Sequence, residues 1–208
     1  MKNILCFGDS NTYGYRPDGT GRYDEKVRWT KRLQSALGVE NFNVIEEGLS
    51  GRTTVFEDEL RSDRKGINAI SMILETHNPL DLVIIMLGTN DCKVRYGASA
   101  GVIAKGLEQI IHKVKQLTKD HTKILVISPI LLGEGVGEKG FDIEFNTNSE
   151  IVSRGIALEY EKVALRNQCE FLDASKIANA SSIDREHLDE EGHARLARAL
   201  TDVVPKLI

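Results

Sequence analysis

A chain of 208 residues that is 41% hydrophobic and 28% charged can bury a sizeable core without disulfide or metal staples. Its net charge of −4 argues against a nucleic-acid binder, which needs a basic excess to neutralise phosphates. No run approaches the roughly 18 consecutive apolar residues of a membrane span, so no membrane partner is expected.

The first apolar run, residues 4–7, follows Lys2 and is cut off by Gly8 and Asp9. A secretory core needs about 7–15 apolar residues and a cleavage site. The run therefore reads as a strand, and the chain is expected to stay in the cytoplasm. Cys6, Cys92 and Cys169 are odd in number and widely spaced, which is neither a disulfide framework nor a zinc pattern. Reduced thiols agree with a cytosolic setting.

Four more short runs read as strands: residues 43–46, 82–87, 123–127 and 170–172. They are rich in Ile, Val and Leu and do not alternate cleanly, as expected of parallel strands covered on both faces. Between them lie helical patterns. Residues 27–37 place Val27, Leu33 and Leu37 near one face, with Gly38 as a stop. Residues 68–77 carry Ile70, Ile73 and Leu74 and end before Pro79. Residues 100–118 repeat Ile103, Leu107, Ile110, Ile111, Val114 and Leu117 at helical period. Thr147-Asn148-Ser149-Glu150 has capping-box spacing and opens a helix to about Asn167. Residues 190–203 close the series, with Asp189 as N-cap.

Alternating strands and helices predict one α/β domain over residues 1–208. Its architecture is a three-layer α/β/α sandwich around a central five-stranded parallel sheet. Ligands in such sheets bind at the C-terminal edge of the strands. Residues 18–26 and 133–145 are too polar for core and too long for simple turns. They are candidates for flanking a site, as lids or as contacts between subunits of a homo-oligomer.

Four motifs can carry chemistry. Gly8-Asp9-Ser10-Asn11-Thr12 follows the first strand and presents a serine hydroxyl, with its own N–H, at the active edge. Gly48-Leu49-Ser50-Gly51-Arg52-Thr53-Thr54 follows the second strand, and Gly51 lets the backbone approach a substrate and offer its N–H. Gly88-Thr89-Asn90-Asp91 follows the most apolar strand, where the Asn90 amide can donate to a developing oxyanion. Asp184-Arg185-Glu186-His187 pairs a carboxylate with a histidine three residues on, from one loop. Taken alone, each has an ordinary reading: a capping serine, a glycine turn, an Asx-turn, two surface residues. Together they supply a nucleophile, oxyanion donors and an acid–base pair at places that a doubly wound sheet makes neighbours.

The order and residues of these motifs resemble the four sequence blocks of the SGNH hydrolases, or GDSL esterases, with Ser10, Gly51, Asn90 and His187 as the block residues. The match spans the chain from Ile4 to the helix after His187. Residues 5–10, Val27-Arg28-Trp29-Thr30, residues 46–50 with Arg52-Thr53-Thr54, and residues 81–91 also resemble the arylesterase/acyltransferase branch. The resemblance implies ester hydrolysis of a small-molecule substrate without metal or cofactor, and acyl transfer to alcohols in some relatives. Ser10, Asp184 and His187 are then the catalytic residues. Ser10, Gly51 and Asn90 form the oxyanion hole.

Ser50 is the rival nucleophile, but neither serine has the G-x-S-x-G setting of the α/β-hydrolase elbow. Asp9 reads as a turn-maker. His193 with Asp189 lacks the rest of a metal ligand set. His77, His112 and His121 read as helix-surface or helix-end residues. Tyr13, Tyr15, Trp29 and Phe56 are candidates for an acyl or aryl pocket, or for packing. The competing functions are a carbohydrate O-acetylesterase, a non-catalytic binding protein on the same fold, and a nucleotide binder. The last lacks both glycine-rich phosphate motifs.

Overall fold

The computed structural model describes residues 1–118 and 121–208. Five parallel strands form one sheet: β1 (Lys2–Gly8), β2 (Phe42–Gly48), β3 (Leu82–Met86), β4 (Lys123–Ser128) and β5 (Glu170–Asp173). Their order is β2-β1-β3-β4-β5. The chain runs outward from β1 in one direction and then returns to build the rest from β3. The crevice where the direction reverses lies between the C-terminal ends of β1 and β3.

The helices are α1 (Ser10–Tyr13), α2 (Trp29–Leu37), α3 (Gly66–His77), α4 (Ala100–Thr118), α5 (Thr147–Arg166) and α6 (Glu190–Val203). Side chains alternate across each strand, so a single apolar run feeds two cores. Leu5, Phe7, Val83, Ile85 and Val126 pack with α3, α4 and α5. Ile4, Cys6, Ile84, Met86 and Leu125 pack with Trp29 and Leu33 of α2 and with Leu196 and Leu200 of α6. This is the expected three-layer sandwich. Among the described residues no helix is long and apolar enough to cross a membrane.

Several boundaries shift for tertiary reasons. The helix expected from residue 27 starts at Trp29, because Arg28 is extended and forks onto Glu46 through Nε and Nη2, both at 2.9 Å. The helix expected from residue 68 starts at Gly66. Its first N–H groups find acceptors outside the helix, Gly66 on Thr53 O and Ile67 on Thr54 O. α5 is capped by Asn146, one residue before the expected Thr147. The Asn146 side chain accepts from Ser149 N at 3.1 Å, and Ser149 Oγ accepts from Asn146 N at 3.2 Å. Asn outranks Thr as a cap, and Glu150 is left to accept from Gly135 N at 2.8 Å. Asp189 does cap α6, through Gly192 N at 2.7 Å. α2 does stop at Gly38, which adopts φ +83°. β3 stops at Met86, and Leu87 O instead accepts the Tyr160 hydroxyl at 3.0 Å.

Candidate active site

The register aligns Gly8 of β1 with Gly48 of β2 and Met86 of β3. Three strand ends therefore open at one level, and the loops that follow them meet. Gly48 is required by close approach. A Cβ there would lie 2.1 Å from Tyr13 N, so α1 rests directly on the end of β2.

Asp9 caps α1, its Oδ1 accepting from Asn11 N at 3.0 Å. Among the described residues its buried Oδ2 has no partner, and burial pushes its carboxyl up to about 7. The next residue, Ser10, is 3% exposed, and its Oγ lies 2.9 Å from His187 Nε2. His187 Nδ1 lies 2.6 Å from Asp184 Oδ2. An ionised carboxylate can only accept, so Nδ1 carries the proton and Nε2 is left to accept from the serine hydroxyl. Asp184 Oδ1 accepts the backbone N–H groups of Glu186 and His187, each at 3.0 Å. Burial alone would raise the Asp184 carboxyl. The hydrogen bond and charge of His187, with these two N–H groups, hold it below the ordinary range instead.

Gly51 sits at φ +86° in a tight turn where any side chain would be strained. Among the described residues, neither the Ser10 nor the Gly51 N–H donates to a protein acceptor. Asn90 starts a short 3-10 turn after β3 and donates through Nδ2 to Arg52 O at 3.1 Å. An amide nitrogen has a second hydrogen. Ser10, Gly51, Asn90, Asp184 and His187 all line one cavity of about 250 Å³. A hollow of about 820 Å³ between α2 and α6 holds none of them.

Sequence reasoning missed the residues that hold these groups in place. Arg52 is 4% exposed and donates through Nη1 to Gly8 O at 2.8 Å and to Glu47 O. Its guanidinium lies 4.3 Å from the Phe7 ring centroid, and burial pulls it down to about 10. The Asp91 carboxylate takes the Thr54 N–H at 3.0 Å and also its hydroxyl, fastening the Gly51 loop to the end of β3. Asn11 is equally buried and bonds to both sides of His187. Glu186, which in sequence looks like a solvated charge, is 8% exposed and lines the cavity.

Both irregular stretches flank the cavity. Gly19 of the stretch 18–26 lines it, with Pro17 just before that stretch, and so do Asp142 and Glu144 of the stretch 133–145. The stretch 133–145 is tied to the His187 loop by Gly133 N on Arg185 O at 2.7 Å and by Arg185 Nη1 on Gly135 O at 2.9 Å.

Of the four aromatic candidates, Tyr15 alone lines the cavity, its ring 4.8 Å from that of His187. Trp29 is core, with Nε1 donating to Asn11 O at 3.1 Å. Phe56 stacks on Tyr96 and Tyr13 on Arg22. Ser50 lines the cavity, but among the described residues its hydroxyl meets no histidine. His193 is fully buried and accepts from Trp29 N at 3.3 Å. Among the described residues no group of three or more His, Cys, Asp or Glu side chains is arranged to hold a metal. His77 and His112 lie at the surface, bonded to Glu47 and Asn167, and His121 is exposed.

Chemically, the site holds a hydroxyl bonded to an imidazole that can act as a base when neutral, a carboxylate behind that imidazole, and N–H donors free to meet an oxyanion. The family model for the GDSL-like lipase/acylhydrolase family matches residues 6–195. A carbohydrate acetylesterase family member from Sinorhizobium meliloti is 37% identical, with a TM-score of 0.93, covering 100% of this chain and 99% of that one. The native aryl esterase of M. smegmatis is 36% identical, also with a TM-score of 0.93, covering 100% of each chain. No curated protein sequence gives a match. The chain belongs to the GDSL-like lipase/acylhydrolase family and is an ester-hydrolysing enzyme.

Proposed function

We propose that the enzyme cleaves short-chain carboxylic esters, aryl or alkyl, through an acyl-enzyme on Ser10. The observation that carries this reading is the unbroken Ser10–His187–Asp184 chain, with contacts of 2.9 and 2.6 Å. His187 Nε2 takes the hydroxyl proton as Ser10 Oγ bonds to the carbonyl carbon. Asp184 holds the tautomer and balances the imidazolium. The carbonyl oxygen, now negative, is met by the N–H groups of Ser10 and Gly51 and by the Asn90 amide. The tetrahedral centre collapses, its bond to the alcohol oxygen breaks, and His187 returns the proton to that oxygen. Water then attacks the acyl-enzyme with His187 again as base, and an alcohol in its place gives acyl transfer.

A cavity of about 250 Å³ that must hold both halves of the ester favours a short acyl chain. A second reading, a carbohydrate O-acetylesterase, draws support from the polar lining of the cavity, which includes Arg61, Lys93, Asp142, Glu144 and Glu186. The substrate is a small molecule in either case. The three cysteines are unpaired, which supports a reducing, cytoplasmic setting.

Labelling with diethyl 4-nitrophenyl phosphate, followed by peptide mapping, tests the nucleophile. The expected result is one diethylphosphoryl group per chain, on Ser10. A label on Ser50, or none at all, would overturn the assignment.

A further inference from the structure

His187 must hand its proton to the departing alcohol oxygen, so that oxygen leaves within hydrogen-bond reach of Nε2. Whatever else lies beside Nε2 therefore faces the alcohol half of the substrate. Glu186 Oε1 is 3.8 Å from that nitrogen. The Glu186 side chain is 10% exposed, and among the described residues its carboxylate accepts no hydrogen bond. Its backbone is pinned, the N–H to Asp184 Oδ1 at 3.0 Å and the carbonyl to Asn11 Nδ2 at 3.5 Å, so the carboxylate is held in the cavity wall.

Among the described residues no lysine or arginine pairs with it, and only a protonated His187 would. Lys93 is committed to Glu144 at 2.6 Å, and Asp184 to His187. Arg61 stands on the far side, beside Gly51, where an added Cβ would lie 3.2 Å from its Nη1. The cavity is thus polarised, positive by the oxyanion donors and negative by the leaving group. A carboxylate largely withdrawn from water without a donor is costly, and a substrate group that donates to it recovers part of that cost.

We propose that Glu186 selects the alcohol half of the ester. It favours alcohols carrying a hydrogen-bond donor, ammonium or hydroxyl, next to the ester oxygen and disfavours those carrying a carboxylate there. This rests on the Ser10–His187 reading given above.

The test uses four acetates that differ only at the end of a two-carbon alcohol. They are 2-(dimethylamino)ethyl acetate, ethylene glycol monoacetate, 2-methoxyethyl acetate and acetoxyacetate, compared by kcat/KM at neutral pH. The expected order is ammonium above hydroxyl, hydroxyl above methoxy, and carboxylate last. In Glu186→Gln the ammonium-to-carboxylate ratio should fall by on the order of a hundredfold, the effect of one charge removed at close range. The ratio cancels any general loss of activity, and Glu186→Ala serves if the Gln variant fails to fold. A wild-type ratio at or below one overturns the proposal whatever the variants do. A ratio above one that survives both substitutions overturns the role of Glu186. Hydrolysis that persists in Ser10→Ala strikes the serine reading itself, a distinct failure.

Discussion

Asn11 Oδ1 accepts the backbone N–H of Leu188 at 2.8 Å, across 177 residues of sequence. The same side chain reaches Glu186 O through Nδ2, and the Asn11 carbonyl holds the Trp29 indole N–H at 3.1 Å. The residue after Ser10 therefore grips the chain on both sides of His187. It sets the Ser10–His187 distance. Misplacing reacting groups by about 1 Å can cost on the order of a hundredfold. Asn11→Ala should lower kcat by about tenfold to a hundredfold with a smaller change in KM. Asn11→Asp keeps the acceptor for Leu188 N and should recover part of the loss. Steady-state kinetics on both variants decide, and a folded Asn11→Ala with wild-type kcat contradicts the clamp.

Asp184→Asn should cost about 10⁴ in kcat, because an amide can donate to Nδ1 and stabilise the wrong tautomer of His187. Asn90→Ala should cost about 10²–10³, the usual loss for one oxyanion donor. Circular dichroism would separate these losses from unfolding.

The pH profile has a stated direction. Burial pulls His187 down, but the Glu186 charge and the Asp184 hydrogen bond outweigh it and leave the imidazole above its ordinary value. The base works only when neutral, so kcat/KM should fall as pH drops through that raised value. Glu186→Gln removes the largest raising influence. Its acid limb should move to lower pH, with activity kept further into acid. A limb that stays in place would show that Glu186 does not act on the imidazole.

His193 links stability to pH. Burial, then the positive charges of Arg32, His187 and Arg28, lower its imidazole to about 3. The unfolded chain protonates this histidine near pH 6.5, while the folded chain does not. Between those values the unfolded state binds more protons. Stability from neutral burial is thus complete above about 6.5 and declines as pH falls toward about 3, by roughly 1.4 kcal/mol per pH unit. Urea midpoints of wild type and His193→Gln, measured from pH 7 to 4.5, should converge as pH falls. Parallel curves would contradict the linkage.

The strands, their parallel pairing and the four site motifs were legible because each rests on a local signal. An apolar run marks a buried strand, and Ser10, Gly51 and Asn90 each follow one. The supporting residues gave no such signal. Arg52 bonds to Gly8 O across 44 residues, and Asn11 to Leu188 across 177. Glu186 stands between Arg185 and His187 and looks solvated until the stretch 133–145 folds over that loop. The helix starts at Trp29 and Gly66, and the cap of α5 at Asn146, differ for a related reason, because distant groups or a stronger neighbouring cap satisfied the first turns.

The most direct measurement is hydrolysis of 4-nitrophenyl acetate by the purified wild type and by Ser10→Ala, with both variants shown to be folded. A serine nucleophile requires clear turnover in the wild type and a loss of about 10⁴–10⁶ in Ser10→Ala. Equal rates in the two proteins would contradict it and remove Ser10 from the chemistry.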